Sequence, residues 1–217
     1  MDNQIREIEI GDMEEDYENY VEYEEYDNSR IKPNRTFVTS DLHLGHYNII
    51  EYCNRPFRRL DEMNNTLINN WNSQVKAKDT VFFLGDLAFG KHSKTDDWID
   101  QLNGNIIFFK GNHDASQTIQ FFTSAIVTFG DIPFYLTHDP YSVPQTWRGW
   151  IIHGHHHNNI PDKYPFIHYR LKTVNVSVEL TTYAPVDINI ILTRIHADRE
   201  ARAVREAHFV QSQPFLE

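Results

Sequence analysis

The chain has 217 residues, 40% of them apolar and 13% aromatic, enough for one domain with a sizeable core. No stretch approaches the ~18 to 20 uncharged apolar residues of a membrane span, and the N-terminus, MDNQIREIEIGDMEEDYENY, has neither the basic nor the apolar part of a secretion signal. Of the formal net charge of −11, almost all sits in residues 1–30, which hold twelve acids and two bases, so the rest is nearly neutral and poorly suited to gripping a long polyanion.

Residues 1–32 read as an acidic, flexible leader before a domain spanning 33–217. Tyr17, Tyr20, Tyr23 and Tyr26 recur every third residue and would form a drifting stripe if this stretch were helical. The lone Cys53 excludes an intrachain disulfide and, with the acidic N-terminus, predicts a cytoplasmic protein. Past Pro33 the pattern alternates. RTFVTS is a β-branched strand ending at Asp41, and NNTLINNWNSQV places Leu67, Ile68, Trp71 and Val75 at helical spacing. DTVFFLGD and NIIFFKGNHD are continuous apolar strands of the kind buried on both faces. Between them TDDWIDQL predicts a helix capped by Thr95. SQTIQFFTSA predicts a weak helix, and IPFYLTHDP and GWIIHGHHH two further strands. TVNVSVEL and VDINIILTRI read as strands, and ADREARAVREAHF as a charged closing helix. Strands alternating with helices predict an α/β domain built on sheet layers.

The polar residues fall where these strands end. Asp41 and His43 follow the first strand, Gly85-Asp86 the second, and Gly111-Asn112-His113-Asp114 the third. His138 ends the fourth, and Gly154-His155-His156-His157 the fifth. Carboxyl ends of strands share one edge of an α/β sheet, where ligands bind, so groups spread from 41 to 157 can converge. Taken singly each piece is weak: Gly-Asp is usually a turn, and a lone histidine is usually satisfied in a core. Together, imidazoles, carboxylates and an amide with no thiolate suit Mn²⁺, Fe or Zn²⁺, and seven such ligands suit two ions rather than one.

This ordered set, Asp-x-His, Gly-Asp, Gly-Asn-His-Asp, a lone His and Gly-His-x-His, resembles the calcineurin-like metallophosphoesterase superfamily over about residues 34–193. The resemblance implies two packed mixed β-sheets flanked by helices. It implies two divalent transition-metal ions, Mn²⁺ first, with Fe, Zn²⁺ or Ni²⁺ as alternatives. By matching position, Asp41, His43 and His157 would bind one ion and Asn112, His138 and His155 the other, with Asp86 bridging. His113 would contact the phosphate and protonate the leaving group. A hydroxide bridging the ions would attack phosphorus.

Within the same resemblance, eukaryotic-type protein phosphatases carry Gly-Asp-x-x-Asp-Arg-Gly, whereas GDLAFG has Phe89 and Gly90 at the Asp and Arg positions. That departure argues against a phosphoprotein substrate. The segments EYCNRPFRRLDEMN and LTHDP look like those of small single-domain members from bacteria and phages. His153 and His156 are expected to orient ligands or face solvent, and His155 and His157 to share one side of an extended segment. His46, Arg55 and Arg58, with Arg59 beside them, are the candidate substrate-binding groups, the arginines because guanidinium matches phosphate geometry. The expected activity is hydrolysis of a small phosphoester or nucleotide, with a phosphodiester ahead of a phosphomonoester. A nuclease and a non-catalytic scaffold are the alternatives, and no membrane partner is expected.

Overall fold

A computed structural model describes residues 35–90 and 94–211. The leader and its expected boundary lie outside the described residues. Among the described residues, nine strands form two mixed sheets. The first sheet has the order β3-β2-β1-β9, with β1 (Thr36–Thr39), β2 (Thr80–Phe83) and β3 (Asn105–Phe108) parallel and the short β9 (Val186–Asp187) antiparallel to β1. The second has the order β4-β5-β6-β8-β7. There β5 (Ile132–Thr137), β6 (Trp150–His153) and β8 (Thr173–Asn175) run parallel, flanked by antiparallel β4 (Ser124–Phe129) and β7 (Ile167–His168).

The alternation of side chains along β1 and β2 explains the layering. Val38 and Phe82 point into an apolar layer shared with Phe134, Leu136, Ile152 and Val174 of the second sheet. Their neighbours Phe37, Val81 and Phe83 point the other way, into a layer built on Met63, Leu67 and Trp71 of helix α2 (Leu60–Gln74). Both faces of these strands are therefore covered, as the unbroken apolar run of β2 predicts. A short helix α1 (Ile49–Tyr52) adds Ile49 to the α2 side. Full burial of each such side chain contributes about 1.5–3 kcal/mol. The expected architecture, two packed mixed sheets with helices, is the one observed.

Four local expectations need correction. VDINIILTRI is not a strand beyond Asp187, because helix α3 (Ile188–Gln211) begins there. The Asp187 carboxylate accepts the backbone N–H of Asn189 at 2.9 Å, as an N-cap does. Ile188, Ile191, Leu192 and Ile195 then meet the inter-sheet layer at helical spacing. SQTIQFFTSA forms no helix, since the Ser116 hydroxyl accepts the N–H groups of Thr118 and Ile119 and holds a turn. Its end belongs to β4, which turns into β5 through Gly130 at φ 59° and Asp131, a two-residue hairpin loop. TDDWIDQL forms two 3-10 turns, Thr95–Asp97 and Ile99–Gln101, the first entered at Lys94 rather than at Thr95. NIIFFKGNHD is an edge strand, only half-buried. Among the described residues, no helix is long and apolar enough to cross a membrane.

Candidate metal centre

The loops after five strands meet at the seam between the sheets. Beyond β1 and β2 the chain keeps pairing: Asp41 N–H donates to Gly85 O (2.9 Å) and His43 N–H to Asp86 O (3.0 Å). On the other side Val176 N–H donates to His153 O, and Ser40 N–H to Val176 O, which ties the second sheet to the first. Gly85 has φ 92°, and a Cβ there would lie 2.6 Å from His138 Nδ1 and Gly111 N, so only glycine lets these three loops close up.

Among the described residues, nine non-glycine residues have positive φ, and five of them are Asp41, His43, Asp86, His155 and His157. Such backbone persists only where its surroundings over-determine it, and it clusters at functional sites. It also corrects the expectation about His155 and His157. They do not share a side by alternating along an extended strand, because β6 ends at His153 and both are left-handed turn residues.

Two carboxylates organise the cluster. Asp41 is fully buried, and its Oδ2 accepts from Ser40 Oγ (2.6 Å), Ser177 Oγ (2.8 Å) and His155 N–H (3.0 Å). Its Oδ1 lies 3.8 Å from His157 Nε2. Asp86 accepts the backbone N–H of His113 through Oδ1 (2.9 Å), while its Oδ2 lies 3.5 Å from Nε2 of both His43 and His138. The His138 Nδ1 is 2.7 Å from Leu84 O, an arrangement in which Nδ1–H donates and Nε2 is left for the cluster. That Nε2 is 3.3 Å from His155 Nδ1. His43 is 2% exposed, yet neither of its ring nitrogens has a hydrogen-bond partner.

The charges explain the protonation pattern. Burial pushes the Asp41 carboxyl up, but the imidazoles of His157, His138 and His43 and the Ser40 hydroxyl outweigh it and hold the group below the usual carboxylate range. Burial, then Asp41, raises Asp86. Burial drives His43 well below its ordinary value, so it is neutral, as a ligand must be. For His157, burial is outweighed by Asp41, Cys53 and Glu179, and its pKa is pushed up to about 11. The buried acids call for positive charge at this place.

Asp41, His43 and His157 can bring one ligand atom each to within 4.8 Å of one another, and so can Asp41, Asp86 and His138. Asp41 belongs to both groups, but its Oδ2 is occupied by two hydroxyls, whereas Asp86 Oδ2 faces one histidine of each half, which suits a bridge. The donor set fits a pair of divalent ions: hard and borderline oxygen and nitrogen donors, and a buried imidazole with two orphan nitrogens that would each cost about 1–3 kcal/mol if left so. Cys53, His157 and Glu179 form a third such group. There Arg55 already supplies the cation, so a metal does not fit.

Asn112 and His113 lie exposed at the rim. The His113 ring packs on Phe89 (4.3 Å between centroids) and faces His43 (5.5 Å). His46 is half-buried beside them, 5.5 Å from the His43 ring. His156 stacks on Tyr164 at 3.6 Å, and His153 is buried with Nδ1 near Gly154 O.

Arg55 must be corrected. It is buried and offers no donor to a phosphate: Nε and Nη2 grip Glu179 Oε1 (2.9 and 2.7 Å), and Nη1 and Nη2 donate to the carbonyls of Leu42 and Asp41 (2.8 Å each). Its strong polarity misled the sequence reading, because a lone RPFRR cannot show that one arginine turns inward. Arg58 lies exposed before α2, its N–H on Glu62, and Arg59 pairs with Asp61 at the surface. Neither makes a contact with the cluster among the described residues.

The sequence reading missed Glu179. Its Oε1 is 3.0 Å from His157 Nδ1, which turns Nε2 toward Asp41. TVNVSVEL does not continue as a strand because Asn175 Oδ1 accepts the N–H and hydroxyl of Ser177, and the following 3-10 turn carries Glu179 inward. Asp114, the last residue of Gly-Asn-His-Asp, is buried and accepts N–H groups from Asp86 (2.7 Å), Leu87 (2.9 Å) and Gly111 (3.0 Å), locking two of the candidate-site loops together.

Comparison with known proteins agrees with this geometry. The profile of the calcineurin-like phosphoesterase family matches residues 35–207. An uncharacterised protein of Methanocaldococcus jannaschii is 42% identical over 175 residues, 79% of this chain and 97% of that one. The gene 66 protein of Mycobacterium phage L5 is 36% identical over 85 residues, covering 37% and 40% of the two chains. A solved protein of unknown function from Aquifex aeolicus shares the fold with TM-score 0.56 at 22% identity, over 74% of this chain and 99% of that one. With the family profile spanning the whole two-sheet body and its buried Asp–His cluster, the chain belongs to the calcineurin-like phosphoesterase family.

Proposed function

We propose that this protein hydrolyses a small phosphodiester, with a phosphomonoester as the second choice, using two divalent transition-metal ions of which Mn²⁺ is the first candidate. The observation that carries the reading is His43: buried, neutral and without a hydrogen-bond partner, between two buried carboxylates. A purely structural network would not leave both of its nitrogens orphaned.

Asp41, His43 and His157 would hold one ion, and Asn112, His138 and His155 the other, with Asp86 between them. Such a pair neutralises a phosphate ester and supplies a nucleophile near neutral pH. The chain does the rest. Glu179 and Leu84 O fix which nitrogen His157 and His138 present. His113, whose backbone N–H donates to Asp86, would contact the phosphate and deliver a proton to the departing oxygen. The nearly neutral body suits a small substrate better than a long nucleic acid. The presence of His113 and all the ligand types speaks against a scaffold.

The test combines metal content with a substrate panel. The Mn²⁺-loaded protein is expected to hold close to two ions per chain and to hydrolyse an aryl phosphodiester faster than an aryl phosphate, and Asp86→Asn should lower occupancy of both ions. A chain that takes up no metal with its ligands intact would overturn the reading.

A further inference from the structure

We propose that the exposed rings of Phe89 and Tyr52, with His46 edge-on to both, form an aromatic wall on which a planar base stacks, so that the group leaving the phosphate is a nucleoside. The proposal rests on the phosphoesterase reading and names its substrate class.

Phe89 is 38% exposed and Tyr52 65%, although both adjoin a site otherwise lined with polar groups. The rings form a continuous run. The Phe89 centroid is 4.3 Å from that of His113 and 4.6 Å from that of His46, and His46 lies 6.1 Å from Tyr52, with the His46 ring edge-on to both Phe89 (72°) and Tyr52 (75°). His43, a candidate ligand, touches the same run at both His46 and His113 (5.5 Å each). The face is also rigid at its base. Phe89 N–H donates to Leu44 O (3.1 Å), and Leu44 pairs with Ala88, so the loops after β1 and β2 carry the ring together.

Its place relative to His113 fixes what would lie on it. A proton donor stands beside the oxygen that departs, so the organic part of the leaving group must extend to the side of His113, where Phe89 is. The rim beyond His155 differs. There the Lys163 ammonium donates to Tyr141 Oη (2.7 Å) and lies 5.1 Å from the Tyr164 ring, a charged surface rather than an open apolar one. An uncharged planar ring gains by stacking on the Phe89 side, and base–aromatic stacking adds about ten-fold in affinity per base.

The test uses binding, so it does not depend on turnover. Two ligands that cannot be hydrolysed, the carbon–phosphorus analogues of adenosine 5′-monophosphate and ribose 5-phosphate, are titrated into the Mn²⁺-loaded full chain by calorimetry. The adenosine analogue should bind about ten-fold more tightly. Phe89→Ala should abolish most of that ratio, Tyr52→Ala should reduce it, and Phe89→Trp should keep it. Because the ratio is taken within each variant, altered metal binding cancels, and Tyr52→Ala answers the question if Phe89→Ala fails to fold. Equal affinity of the wild type for both analogues overturns the stacking face, as does a ratio that survives both alanine changes. Failure of the wild type to bind even the ribose analogue, with metal loaded, instead overturns the phosphoesterase reading on which the face depends.

Discussion

Asp41 and His113 both belong to the candidate site, yet their surroundings differ in kind. Asp41 is buried and takes two hydroxyls and a backbone N–H, while the guanidinium of Arg55 grips its carbonyl from below. His113 is exposed, anchored by one backbone hydrogen bond, and its ring is held by packing on Phe89 and His43. The floor is over-determined, which is how left-handed backbone at Asp41, His43 and Asp86 can persist. The rim, by contrast, is open to solvent. A site that must gather acids and neutral imidazoles needs rigid support below, and access above.

The contrast breaks if a rim change damages the floor. His113→Ala is expected to cost about 10²- to 10⁴-fold in rate on an ester with an alkoxide leaving group, and much less on a nitrophenyl ester. Metal content and melting temperature should stay at wild-type values. Equal losses on the two esters, measured at full metal loading, would leave His113 only an electrostatic role.

A floor change should behave in the opposite way. Arg55→Ala removes the buried guanidinium that grips Glu179 and leaves His157 as its one charged neighbour among the described residues, and breaking such a buried pair costs about 3–5 kcal/mol. Denaturant unfolding of the metal-free chain should show that loss. If Arg55 instead served substrate, the variant would keep its stability and lose only affinity for phosphate.

The smallest effect sharpens the same line from outside the site. Arg58→Ala removes an exposed side chain beside α2, and the expected change in stability is within about 0.5 kcal/mol. The Michaelis constant for the best ester found should be unchanged, and a several-fold rise would bring Arg58 back to the substrate.

Much of this was legible because it is written locally. A polar residue directly after an apolar strand can be read from a few neighbours, and five such places named Asp41, His43, Asp86, Asn112, His113, His138, His155 and His157. The unbroken run of β2 also announced two covered faces, whereas the similar run of β3 lies at a half-buried edge. Other signals were present and misread. Asp187 followed by Ile188, Ile191 and Ile195 is a capped helix, and Gly130-Asp131 between β-branched runs is a hairpin.

The support of the site was not legible in the same way. Arg55 and Glu179 stand 124 residues apart, and Asp41 and Ser177 136 apart. Nothing near any of these residues tells whether its side chain turns inward. The sequence by itself determined which donor-bearing residues follow the apolar strands, because local backbone pattern and side-chain chemistry set this. Only the tertiary structure decided that Arg55 is a buried brace rather than a phosphate clamp, that Glu179 orients His157, and that Phe89 closes on His113. Each of those depends on which distant loops the two packed sheets bring to one edge.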